Sequence, residues 1–166
     1  MPNEIAVTNR LLCAGDFLEQ IKRVAEAKPT AILLREKDLS EAAYLALARE
    51  VKAVCDGQGV PLVAHRFCRA ARELGLLLHQ PYQSVHSVDE ALRAEKLGAR
   101  YLTFGHVFPT ACKPGLPPRG LDMLRAVCEA VSTQVYAIGG ITAENAGLCV
   151  ENGAAGICRM SYWMGI

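Results

Sequence analysis

Short apolar runs recur along this chain, and between them lie longer stretches in which apolar residues return every three or four positions. No other feature limits the fold as much. A parallel strand buried on both faces needs an unbroken apolar run, and the crossover that leads to a parallel neighbour needs a dozen or more residues, usually helix. Repetition of both from end to end predicts successive parallel strand-helix units.

Ile5 to Leu12 reads as the first strand, and Asp16 caps a helix to about Lys28, with Phe17, Ile21 and Val24 at helical spacing. Pro29 ends that helix. Ala31-Ile32-Leu33-Leu34 is a buried strand that delivers Arg35-Glu36-Lys37, Ser40 begins a helix to about Gly57, and Pro61 to Ala64 is the next strand. Arg69 to Leu74 supplies one or two helical turns stopped by Gly75, before an apolar strand from Leu76 to His79. Only Tyr82 and Gln83 then precede Ser84-Val85-His86-Ser87, too few for a crossover helix, so one unit reads as shortened. Beyond it Ser87 caps a helix stopped by Gly98, and Ala99 to Phe108 forms a strand. The loop Pro109 to Gly120 is stiffened by four prolines. A helix to Val131, a strand Gln134 to Ile138, Gly139-Gly140, a helix from Thr142 to Gly153 and a last strand Ala155 to Met160 complete the chain. Seven or eight strands with helices between them favour a (β/α) barrel over an open doubly wound sheet.

A length of 166 residues suits a single domain spanning 1–166. The formal charge of +1 argues against a nucleic-acid or anionic-membrane surface, so a small molecule is the expected partner. No run approaches the roughly 20 apolar residues of a membrane span, and Met1 to Arg10 is polar where a signal peptide would be apolar; a cytoplasmic location is expected. The seven cysteines include no C-x-x-C pair, so neither a zinc site nor a disulfide framework is expected. Most fall in apolar runs as small hydrophobes, whereas Cys112 lies in the proline-rich loop.

In barrels of this kind, reactive groups collect at the carboxyl ends of the strands and phosphate binds after the last two. Gly139 and Gly140 let backbone amides approach an anion there, or else simply form a tight turn. Met160 and Ser161 end the last strand. His106, after Gly105 and before the stiff loop, is the sharpest acid-base candidate, although His65, His79 and His86 occupy comparable positions. Arg35 and Lys37, two residues apart at an extended strand end, form a cationic clamp on one face. Lys113 and Arg119 add positive charge suited to phosphate or carboxylate, unless they are merely solvated.

Ser84-Val85-His86-Ser87, the stretch FGHVFPTACKPGLPPRG from Phe104 to Gly120 and YAIGGIT from Tyr136 to Thr142 together resemble the thiazole tautomerase branch of the thiamine phosphate synthase superfamily. The similarity runs from Arg35 to Ser161. It implies a (β/α)8 TIM barrel in which Gly139, Gly140, Met160 and Ser161 hold the phosphate of a thiazole phosphate and His106 moves the proton. Arg35, Lys37, Ser84, Thr110 and Lys113 would be further substrate contacts. The implied reaction is a 1,3-proton shift that aromatises a thiazole carboxylate phosphate, with no cofactor and no metal.

The alternatives are the sister activity, thiamine phosphate synthase, and a non-catalytic thiazole phosphate binding or regulatory protein. The synthase joins a pyrimidine diphosphate to the thiazole and needs magnesium held by aspartates after the third and fourth strands. Here those places read Ala64-His65-Arg66-Phe67 and Leu78-His79-Gln80-Pro81. The family's helix and full strand before S-V-H-S, and its final helix, are missing from the pattern. A barrel so shortened is expected to expose apolar edges on the fourth and fifth strands and to cover them in a homo-oligomer.

Overall fold

The apolar runs are strands and the periodic stretches are helices. The computed structural model describes residues 3–166, and the chain divides into two compact units, one of Glu4–Gln80 with Arg159–Ile166 and one of Pro81–Cys158 with Asn3.

The first unit is built from β1 (Asn3–Val7), α1 (Phe17–Glu26), β2 (Ala31–Leu34), α2 (Glu41–Gln58), β3 (Leu62–His65), α3 (Cys68–Leu74) and β4 (Leu77–His79). These strands pair in parallel in the order β4-β3-β2-β1, with Ile5 opposite Ala31, Ile32 opposite Leu62 and Val63 opposite Leu77. The second unit continues with β5 (Ser84–Val85), α4 (Val88–Lys96), β6 (Leu102–Gly105), α5 (Gly120–Ala130), β7 (Val135–Ile138), α6 (Ala146–Glu151) and β8 (Gly156–Arg159), in the order β8-β7-β6-β5, again parallel. The closing helix α7 (Ser161–Met164) belongs to the first unit. Among the described residues, then, there are eight strands and the class is α/β.

Local chemistry explains the boundaries. Asp16, Ser40 and Ser87 accept hydrogen bonds from the amides of Glu19, Ala43 and Glu90, satisfying donors that the first helical turn leaves open. Gly59 and Gly75 end α2 and α3 in the left-handed region, where a β-carbon is disfavoured. Each unit has its own core. Ile21, Val24, Ile32, Leu34, Tyr44 and Val51 lead the first, and Leu102, Phe104, Leu124, Val127, Val135 and Ile157 the second.

Several boundaries differ from the sequence reading. β1 stops at Val7 rather than Leu12, because Asn9 accepts from the Leu11 amide and turns Arg10–Leu12 into a 3-10 helix. β6 spans Leu102–Gly105 rather than residues 99 to 108, so His106 follows the strand. Between β4 and β5 there is a single 3-10 turn, Pro81–Gln83, and β5 has only two residues. The last strand does not end bare. α7 is one helical turn whose Trp163 and Met164 are buried with the first core, and Trp163 donates to Glu4 at 2.6 Å while its carbonyl accepts from Gln20 at 2.7 Å. Arg159 completes this corner, reaching Glu4 with two hydrogen bonds at 2.6 and 2.7 Å and lying over the Tyr162 ring at 3.7 Å. Of the apolar edges expected on the fourth and fifth strands, Leu77 on β4 is half exposed, whereas Val85 on β5 is buried. No helix among the described residues is long and apolar enough to cross a membrane.

Candidate active site

In the first unit the ends of β2, β3 and β4 carry the polar groups. Thr8 fixes the first of them: its hydroxyl accepts from the Arg35 amide at 3.0 Å and donates to Glu36 at 2.6 Å. Glu36 is buried and also accepts from the Arg10 amide and guanidinium at 3.1 Å, so its charge is compensated. Arg35 and Lys37 flank it on the other side of the alternation, half-buried and exposed respectively. Lys37 stands in a turn rather than on an extended strand end, which loosens the predicted clamp. The Arg35 guanidinium reaches the Met160 sulfur at 4.0 Å, so two of the predicted site residues do meet here. Ser161 opens α7.

Next along this edge are two histidines. His65 and His79 end β3 and β4, face each other in register, and stack with centroids 5.8 Å apart and planes 18° from parallel. Both are buried, and Nδ1 of His65 has no hydrogen-bond partner. Tyr44 holds the neighbouring backbone by donating to the Leu34 carbonyl at 2.7 Å and accepting from the His65 amide at 2.9 Å. Burial drives the His65 imidazole down to about 3, assisted by His79, Arg35, Lys37 and Arg66, and burial with Arg35 drives His79 down to about 4. Both rings are therefore neutral at pH 7 and face cationic neighbours.

The second unit carries its own candidate groups, His106 and the glycines. His106 is buried, its Nε2 lies 3.3 Å from the Leu116 carbonyl, and its own carbonyl accepts from the Arg119 amide at 2.9 Å. The ring is thus turned toward the proline-rich loop. Gly139 and Gly140 have φ of +98° and +68°, and β-carbons there would lie 2.3 Å from His106 Cβ and 2.4 Å from the Pro109 carbonyl oxygen. Close approach to the loop that follows β6 is therefore why both are glycine. Thr110 and Lys113 share a turn, the Lys113 amide donating to the Thr110 carbonyl at 3.1 Å. Ser84 accepts from Thr103 at 3.2 Å on β5 and β6.

Against known proteins, the model of the thiamine monophosphate synthase family matches residues 4–76 and 83–162. The chain belongs to that family. The unmatched residues between these segments run from β4, at the end of the first unit, into the 3-10 turn that opens the second, where the sequence reading finds one strand-helix unit shortened. Thiamine-phosphate synthase 2 of Streptococcus pneumoniae is 33% identical, the match spanning 91% of this chain and 82% of that protein. The thiamine-phosphate synthase of Coprothermobacter proteolyticus is 34% identical, over 93% and 83%. Among solved structures, thiamine phosphate pyrophosphorylase from Pyrococcus furiosus superposes with a TM-score of 0.83 at 27% identity, over 99% of this chain and 88% of that one.

Family relatives that cover most of this chain are thus named as synthases, and they overturn the expected isomerase.

The donors present do not suit the magnesium that a synthase of this superfamily is expected to need. Hard cations of this kind take oxygen ligands. The ends of β3 and β4 present imidazoles instead, and the nearest carboxylates after β2, Glu36 and Asp38, are engaged by Arg10. Among the described residues no group of three or more histidine, cysteine, aspartate or glutamate side chains is placed for a metal. The residues of the first unit do not fit the ion. Sequence reading noted His65 and His79 singly and missed them as a pair; the equal distance of each from its strand's end was the available signal.

Proposed function

We propose that this protein is a transferase of the thiamine-phosphate synthase kind, joining a pyrimidine carried on a methylene diphosphate to a thiazole phosphate. The observation that carries the reading is the match, over more than four-fifths of both chains, to relatives bearing that name. In this reaction the thiazole ring nitrogen attacks the methylene carbon. A C–N bond forms, the C–O bond to the diphosphate breaks, and the electron pair leaves with the diphosphate.

The chain's residues take roles that follow from charge and reach. Arg35 and Lys37 bind the diphosphate, Arg35 with a planar fork suited to phosphate oxygens. Within the second unit, the amides around Gly139 and Gly140 hold the thiazole phosphate. Ser84, Thr110 and Lys113 add polar contacts, and His106 shapes the floor beside Gly139 and orients the ring. A homo-oligomer is part of this reading, to be checked by sedimentation.

The test is direct. The protein is incubated with the pyrimidine diphosphate and the thiazole phosphate, and thiamine phosphate is followed by the fluorescence of its oxidised product. Formation that falls at least about 100-fold in Arg35→Ala supports the assignment, since charge-assisted contacts to a leaving group act on the transition state. Thiazole phosphate binding with no product in any condition would identify a binding protein instead.

A further inference from the structure

Resting on the transferase reading, one feature of the first unit goes further. Where the sister synthase activity calls for magnesium, the chain stacks two buried imidazoles, one with an orphaned ring nitrogen. A buried polar atom without a partner costs stability, and such atoms in native folds mark strain, a missing water or a ligand. The charges around this atom say which ligand. Arg35 and Lys37 after β2 and Arg66 after β3 act on His65, and Arg35 also acts on His79; the buried Glu36 carboxylate, which acts on Tyr44, is engaged by Thr8 and Arg10, and Tyr44 of α2 is buried and neutral with its hydroxyl engaged. A metal cation would meet three positive side chains. An oxyanion would meet three positive side chains and two groups able to become positive.

We propose that His65 and His79, together with Arg35, form a metal-independent site for the diphosphate oxyanion, and that the imidazoles take up a proton when it binds. In the free protein the cationic neighbours and burial both oppose protonation. A bound oxyanion reverses the first and partners the orphaned Nδ1, so the same pair that is neutral when empty becomes a charged donor when filled. During transfer, the charge that accumulates on the leaving diphosphate as its C–O bond breaks is balanced by this protonated pair.

The test uses the full chain and inorganic diphosphate, titrated calorimetrically at one pH in two buffers of different ionisation enthalpy, with a chelator and again with magnesium. The proposal expects binding in chelator, an affinity that magnesium changes by less than about threefold, and net proton uptake near one per diphosphate. His65→Asn with His79→Gln is expected to abolish that uptake, which separates the imidazole protons from the ligand's own, and to weaken binding about tenfold or more. Binding that requires magnesium, binding whose proton balance is the same in wild type and variant, or no binding of diphosphate at all would each overturn it. The wild-type measurements stand even if the variant fails to fold. Diphosphate binding with proton uptake but no thiamine phosphate formation would sink the transferase reading and leave this site intact.

Discussion

Gly139 and His106 touch backbone to backbone: a β-carbon on Gly139 would stand 2.3 Å from that of His106. This contact brings the end of β7 against the residue that follows β6, and it leaves no room for any side chain. Gly139→Ala adds both a clash and a β-carbon at φ +98°, so a loss of at least about 2 kcal/mol is expected in urea unfolding. Gly147, inside α6 with nothing within 4 Å of its missing β-carbon, is the control, and Gly147→Ala should stabilise by about 0.5–1 kcal/mol. Equal effects of the two substitutions would contradict this account.

Tyr44 ties two strand ends together through one hydroxyl. Tyr44→Phe keeps the ring in its tilted contact with Phe67, centroids 4.3 Å apart, but leaves the Leu34 carbonyl and the His65 amide without their partner. The expected cost is about 1–3 kcal/mol, with faster hydrogen exchange at the His65 amide than in wild type. An unchanged exchange rate would show that the bridge does not hold β3 to β2.

Stability should fall on mild acidification. His65 and His79 have folded values of about 3 and about 4, below the ordinary 6.5 of the unfolded chain. Between these limits the unfolded state binds protons that the folded state refuses, so stability is full above about pH 6.5 and is lost as pH drops toward 3. Urea midpoints at pH 7.5 and pH 5 check the sign. In His65→Asn with His79→Gln the decline should be much shallower, and a steeper one would reverse the assignment.

Glu4 receives the Arg159 fork and the indole N–H of Trp163, the only tryptophan in the chain. Glu4→Gln keeps the size but removes the charge that Arg159 faces, and about 1–3 kcal/mol should be lost. Because the same bonds seat α7, indole emission should shift to the red before global unfolding. Emission unchanged up to the main transition would show that α7 is held by apolar burial alone.

Much of this protein was legible in the order of its residues. Asp16, Ser40, Ser87, Gly59 and Gly75 place helix ends through contacts spanning a few positions, and the apolar runs at Ala31–Leu34 and Val135–Ile138 can only be buried strands. Such information is local, so it survives without the fold. The end of β1 was misjudged because a capping bond from Asn9 outweighed the apolar Leu11 and Leu12, both of which are exposed.

What the linear order could not decide is which strand ends lie side by side. His65 opposite His79, Arg35 reaching Met160, Glu36 buried beneath Arg10 and Gly139 against His106 each depend on strand register or on a chain return across many residues. Register is set by the collective burial of each strand's apolar faces, and no short window of sequence contains that sum. The alternation of runs therefore determined that this would be a chain of parallel strand-helix units, while tertiary packing determined that two imidazoles would meet at the ends of the third and fourth strands.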